Sequence, residues 1–229
     1  MFSVTAFLHY LIDPYILAGV GLTIALTLVA MAFGLPLGLA LALARQSGIA
    51  ALARAARTYV WLFRGTPLLV QLVIVYTALP LFGLKFSVWT SAVLALSLNE
   101  GAYLSEIVRS GFAGVPAGQR DAAMALGLSP WQTLRRVTLP QATRLMLPPI
   151  GNSVNALLKA TSLTSVISME ELMRRSQVVM QRDFQVLELL AVATVWYLAL
   201  TTVWELVQVR LERRFGRGHL PTAPDPDGR

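Results

Sequence analysis

Tyr15 to Ala44 is a run of 30 residues without a single charged side chain, and nothing else in the chain restricts its fold so strongly. About 20 apolar residues in helical form cross the hydrocarbon core of a bilayer. Helices can do so because their backbone groups are satisfied internally. Four further stretches follow. Tyr59 to Phe82 is interrupted only by Arg64, and Val88 to Val108 is apolar except for Asn99, Glu100 and Glu106. Leu145 to Met169 carries Asn152, Asn155, Lys159, Thr161 and Ser162, a composition that predicts a broken span, and Leu187 to Val209 closes the series. With 55% hydrophobic and 14% charged residues, the chain reads as an all-α membrane protein with five transmembrane helices at about 15–44, 59–82, 88–108, 145–169 and 187–209. Residues 1–216 form a single transmembrane domain in this reading. The Pro/Asp/Gly-rich tail 217–229 is expected to be disordered.

The formal charge of +7 is almost all arginine, Lys85 and Lys159 being the only lysines. In such a chain that excess is a topology signal, so nucleic acid is not an expected partner. Arg45, Arg54, Arg57, Arg64, the arginines between 109 and 144 and the cluster after Arg210 fall on one side of five spans; Lys85, Arg174, Arg175 and Arg182 fall on the other. The first side is cytoplasmic by the positive-inside rule, placing the N-terminus outside and the C-terminus inside. The alanine-rich stretch with Arg54 and Arg57 predicts an amphipathic elbow on the membrane surface. The first thirty residues lack a basic n-region, so no cleaved signal peptide is expected. Without cysteine there is no thiolate metal site or cysteine nucleophile. His9 and His219 lie near the ends, so no metal or catalytic residue is assigned and a membrane-embedded enzyme finds few candidates.

Between Arg109 and Arg144 the chain is polar and basic, yet strongly patterned. Ala117 to Leu126 reads as a short helix with Gly127 placed to end it in a left-handed cap. Ser129 before Pro130 restarts a helix with a preferred N-cap and first residue. Trp131, Leu134 and Val137 recur at helical spacing, and Pro140 is expected to stop the run.

Asp121-Ala122-Ala123-Met124-Ala125-Leu126-Gly127, nine residues, then Val137-Thr138-Leu139-Pro140 resembles the loop motif of membrane subunits of bacterial ABC importers, E-A-A, three residues, G, nine residues, I-x-L-P. Arg64-Gly65-Thr66-Pro67-Leu68-Leu69-Val70-Gln71, Ala102-Tyr103 with Glu106-Ile107-Val108-Arg109, and Leu139-Pro140-Gln141-Ala142 with Leu147-Pro148-Pro149 resemble the polar amino-acid (histidine/glutamine-type) branch. Asp121 stands where the pattern has glutamate, keeping the charge on a shorter side chain. Ala160 stands where a polar or acidic residue is frequent. The resemblance implies a type I ABC importer permease fold with a cytoplasmic coupling-helix loop, in a bacterial inner membrane. It implies further partners: ABC ATPase subunits carrying ATP and Mg, a periplasmic or extracellular substrate-binding protein, and a second permease copy or a sister permease. The solute implied is a polar amino acid. This chain has no Gly-x-x-x-x-Gly-Lys-Ser/Thr loop and holds no cofactor of its own in this reading. Asp121, Ala122, Ala123, Gly127, Leu139 and Pro140 would serve ATPase coupling.

Ionisable groups inside a span mark a path, a pair or a cavity. Asn99, Tyr103 and Glu106 share one helical face. Glu106 has two readings, contact with solute or a pair with Arg109 at i+3. Glu100 has no basic residue within a turn, which favours a cavity. Pro148-Pro149 is expected to start a helix that carries Lys159 to mid-membrane, followed by Thr161 and Ser162, whose hydroxyls satisfy loosened backbone. Lys159 also has two readings: a carboxylate site, or an ion pair with Glu100 or Glu106. The Arg64-Gly65-Thr66-Pro67 turn reads as structural support with a gating role. Gly34 and Gly38 read as a close-packing pair, and Thr23, Thr27 and Gln71 as interhelical hydrogen bonders. Two other functions fit the same pattern: a permease for another small zwitterionic or charged solute, and a scaffold that docks an ATPase without passing solute.

Overall fold

The computed structural model describes residues 2–216; the expectation for the tail 217–229 lies outside them. Among the described residues every regular element is helical. In order these are α1 (Val4–Leu11), α2 (Pro14–Gln46), α3 (Ala50–Gly65), α4 (Leu68–Val73), α5 (Val88–Ala113), α6 (Ala117–Ala125), α7 (Pro130–Thr133), α8 (Leu139–Ala160), α9 (Leu172–Asp183) and α10 (Val186–Gly216). α2 and α10 are each long and apolar enough to cross a membrane. α3 and the segment Leu68–Phe82 pass that test only as a pair, bent by 105°. The run expected from Tyr59 to Phe82 is therefore not one straight helix but two helical pieces with a bend between them. Pro67 has no N–H to continue α3, and its extended backbone caps α4 instead.

Proline shapes the chain differently where a π-turn precedes it. Ile74–Ala78 and Leu134–Thr138 are both π-helical, and each is followed by a Leu-Pro pair, Leu79-Pro80 and Leu139-Pro140. In each, the leucine N–H reaches back five residues, to the carbonyl of Ile74 or Leu134. The widened turn absorbs the proline, whose missing donor would otherwise break the ladder. Pro140 therefore does not stop the run but sits in the first turn of α8. Pro148 and Pro149 likewise lie inside α8 and do not start it. A helix already propagating from Ser129 forfeits single bonds at proline without a new nucleation step.

The bundle is built on a parallel contact between α2 and α5. A Cβ on Gly38 would stand 2.7 Å from the Leu104 side chain and 3.0 Å from the Ser105 backbone, so only glycine allows this approach. α8 runs antiparallel to α5, and α10 antiparallel to α8 through Trp204 Nε1, which donates to the Gly151 carbonyl at 2.8 Å. The central core holds Leu26, Leu72, Ala92, Leu96 and Leu157, with separate clusters around Ile16 and Leu172 at one end and around Val108 and Ala142 at the other. Residues 172–183, between the fourth and fifth apolar stretches, form α9. Glu171 caps it, accepting from the backbone N–H groups of Met173 and Arg174 at 3.0 and 2.9 Å.

Candidate functional site

Three groups of side chains carry the chemistry, and the first is the loop between α5 and α8. α6 ends as its sequence predicts. Gly127 has φ +81°, and its N–H and that of Leu128 donate to Met124 and Ala123 carbonyls at 2.9 and 3.1 Å, a left-handed cap that a Cβ would strain. Ser129 and Gln132 form a reciprocal capping box on α7. Of the coupling candidates only Ala123 is buried; Asp121, Ala122, Gly127, Leu139 and Pro140 are exposed. Met124, Leu126, Trp131 and Leu134 are exposed as well. Under the loop a space of about 650 Å³ is lined by Leu43, Gln46, Arg109, Arg120 and Thr133 among others. A compact, capped element thus presents apolar side chains outward, where an isolated soluble loop would present polar ones.

The second group lies at the α3–α4 bend. Gln71 Nε2 donates to the carbonyls of Phe63 and Thr66 and to Thr66 Oγ1, at 2.9, 3.2 and 2.9 Å. Asn99 Nδ2 donates to Gln71 Oε1 at 3.0 Å and to the Phe63 carbonyl at 3.2 Å. Asn99 therefore binds the opened end of α3. Further along the same face, Glu106 accepts hydrogen bonds from Arg45 of α2 and from Arg109 at 2.8 Å, so the pair predicted by i+3 spacing is present. Arg64 approaches the same carboxylate at 3.6 Å and lies 5.3 Å from the centre of the Tyr103 ring. Thr66 Oγ1 donates back to the Leu62 carbonyl at 2.8 Å, and Gly65 borders open space. Asn99 is thus satisfied by the bend it faces, and Glu106 by Arg45 and Arg109.

The third group surrounds Lys159. The lysine is exposed and, with Ser162, Thr194, Tyr197, Leu198 and Thr201, lines a space of about 490 Å³. No ion pair joins it to Glu100 or Glu106 among the described residues, which corrects one of its two readings. Glu100 is buried between α2, α5 and α8, and Ser153 Oγ donates to it. Below the lysine the helix tightens. Thr161 and Ser162 hydroxyls donate to the Leu158 and Lys159 carbonyls at 2.8 and 2.7 Å, satisfying backbone where α8 gives way to the 3-10 turn Thr161–Ile167. Sequence reasoning missed Ser153, the partner of Glu100, and the buried Glu171 with its Tyr197 donor at 2.8 Å. Neither spacing nor composition marks them, because their partners lie on other helices.

The profile of the family described as binding-protein-dependent transport system inner membrane component matches residues 34–217. The chain belongs to that family. It is thus a membrane component of a transport system and not an enzyme. It is 38% identical over 202 residues to the probable amino-acid ABC transporter permease protein YckA of Bacillus subtilis, covering 88% of this chain and 89% of that one. It is 38% identical to the glutamine transport system permease protein GlnP of Escherichia coli, covering 88% and 93%, and 42% identical to the L-cystine transport system permease protein TcyB of Bacillus subtilis, covering 89% and 88%. Among solved structures, that of an amino acid ABC transporter with histidines aligns with TM-score 0.84 at 34% identity, over 88% of this chain and 94% of that one. The MetNI methionine ABC transporter shares the fold at TM-score 0.67 and 20% identity, over 91% and 97%.

Proposed function

We propose that the chain is the transmembrane subunit of an ATP-driven importer of polar amino acids, delivered by an external substrate-binding protein. The observation that carries this reading is identity of 38 to 42% over nearly nine-tenths of the chain to permeases named for amino acids, glutamine and cystine. Residues 1–216 are one transmembrane domain of the type I importer fold, with five spans, the third and fourth being α5 and α8. Asn99, Glu100, Glu106 and Ser153 have partners on neighbouring helices, so a low apolar content does not bar these two helices from the membrane. The N-terminus is outside and the C-terminus inside a bacterial inner membrane, embedded in lipid. The permease works with a second copy or a sister permease and with two ABC ATPase subunits that bind ATP and Mg.

The exposed loop helices α6 and α7 and the first turn of α8 are the ATPase contact, with Asp121, Ala122, Leu139 and Pro140 on its surface and Ala123 and Gly127 holding its shape. α8 grows directly from that loop, so a push on α7 travels along one continuous helix to Lys159. The space around Lys159, lined also by Ser162, Thr194, Leu198 and Thr201, takes the solute carboxylate on the lysine ammonium. Glu100, Tyr103, Thr161 and Asn99 shape the path, and the Arg64-Gly65-Thr66-Pro67 bend is its moving support. The decisive experiment is binding-protein-dependent uptake by the reconstituted complex with a panel of amino acids. Uptake of one or more, abolished without ATP, is expected. No uptake of any amino acid, together with uptake of a different solute class, would overturn the assignment.

A further inference from the structure

Of the three arginines around Glu106, Arg64 is the one whose charge is least used. Arg45 and Arg109 both donate hydrogen bonds to the carboxylate. Arg64 stays 3.6 Å away with its side chain 43% exposed, and the Tyr103 ring it lies over is 42% exposed. One carboxylate against three guanidinium groups leaves the cluster with two positive charges in excess. No acidic residue occurs between Asp13 and Glu100 to supply a further partner from α2, α3 or α4. Tyr103 lies five residues before the end of the third apolar stretch at Val108, about 7.5 Å at 1.5 Å per residue, or roughly a quarter of a 30 Å hydrocarbon core. A half-exposed guanidinium at that depth is costly in lipid and is stabilised by facing water or a polar ligand.

We propose that Arg64 and Tyr103 form an inner station for the carboxylate of the passing solute, separate from the space around Lys159; this rests on the importer reading above. Guanidinium donors match a carboxylate in bidentate geometry, and the ring covers one face of the cation while its edge stays open. An arriving carboxylate replaces the loose contact with Glu106, so the cation is never left bare and the exchange runs easily in both directions. The bundle sets this station apart from Lys159. Ser153 of α8 meets Glu100 of α5. From that level Tyr103 lies three residues one way and Lys159 six residues the other, about 14 Å along the axis for helices of this rise.

The test is chemical modification of Arg64 by phenylglyoxal, read by peptide mass spectrometry on the complex of permease, ATPase and binding protein in nanodiscs. Glutamine and glutamine α-amide are the probes, and Arg54 on the same helix is the internal control. Glutamine is expected to slow modification of Arg64, by about threefold at twice its dissociation constant, while the α-amide and Arg54 show no protection. The protection is expected to persist in Lys159→Met. Arg64 that does not react, equal protection by the α-amide, no protection, or protection lost in Lys159→Met would each overturn the station. Uptake by the same preparation is measured in parallel: uptake without protection removes the inner station alone, whereas absence of amino-acid uptake removes the importer reading.

Discussion

The two ends of the bundle hold their charges in opposite ways. At the α9 end the buried acid is tied to backbone and to a packed tyrosine. Glu171 is fully buried and accepts from two backbone N–H groups and from Tyr197. Leu172 N–H donates to Thr23 Oγ1 at 3.3 Å, and Arg175 donates to the Tyr15 carbonyl at 2.9 Å. α1 is clasped there by Tyr10, whose hydroxyl donates to Asp183 at 2.6 Å, and by Trp196, whose Nε1 donates to the Leu11 carbonyl at 3.0 Å. At the loop end Glu106 is held only by side chains, one of them loosely, and α6 buries a single residue. Backbone-anchored contacts open only if a helix unwinds, whereas side-chain contacts open by rotation. The comparison assigns rigidity to the α9 end and motion to the loop end.

The most damaging change to this contrast is Glu171→Ala. It leaves two backbone donors and the Tyr197 hydroxyl without their acceptor, and should cost about 3 kcal/mol at roughly 1 kcal/mol per bond. A large fall in the thermal midpoint in detergent is expected; a midpoint near wild type would show that the α9 end is not a rigid cap. Gly127→Val comes next. Positive φ in a β-branched residue costs about 1–3 kcal/mol, so the variant should insert normally yet lose about tenfold or more in uptake and in ATPase co-purification. Wild-type values of both would reduce the loop to a connector.

Lys159→Met keeps the apolar stem and removes the ammonium. With no carboxylate partner among the described residues to be stranded, folding should be preserved while uptake falls about tenfold or more, the worth of one charged hydrogen bond. Unchanged uptake kinetics would exclude the carboxylate contact. Asp121→Ala should act as Gly127→Val does but more weakly, by about twofold, because an exposed charge contributes about 0–1 kcal/mol; an effect larger than that of Gly127→Val would reverse the order proposed for the loop.

The smallest effect concerns pH. The Arg182 guanidinium and the Tyr10 hydroxyl hold the Asp183 carboxyl at about 2. With its folded value depressed, its contribution is complete above the ordinary 3.8 and is lost only as pH falls through about 2. Burial pushes Glu171 upward from 4.5. Its ionisation therefore opposes folding, and the α9 end tightens as pH falls towards 4.5. Hydrogen exchange of α9 amides, corrected for intrinsic rates, should show protection constant or rising from pH 7 to 4.5, the last figure being the ordinary glutamate value. Falling protection in that window would contradict both assignments.

Much of this was legible in the residues because the signals are local. The caps at Gly127 and Ser129 and the close packing at Gly38 depend on conformations and volumes that neighbouring residues declare. So does the family pattern in the loop. The face shared by Asn99, Tyr103 and Glu106 was legible too, since helical spacing puts them together. What they face was not. The 105° bend brings Phe63 and Arg64 onto that stripe, and a sequence period carries no information about a kink. Prolines were misread for the same reason: Pro140, Pro148 and Pro149 carry the usual stop and start signals, but a helix held by π-turns and neighbouring helices tolerates them.

By itself the sequence determined that this chain is helical and apolar enough for a membrane, that it carries a structured loop between its third and fourth long segments, and that ionisable groups lie inside those segments. These follow from hydropathy, helical periodicity and capping chemistry, which act over a turn or two. Only the tertiary structure decided the partners: Ser153 for Glu100, three arginines from three helices for Glu106, backbone and Tyr197 for Glu171, and an open space for Lys159. Each pairing spans helices far apart in the chain, and it is set by where glycine contacts and a proline bend let those helices approach.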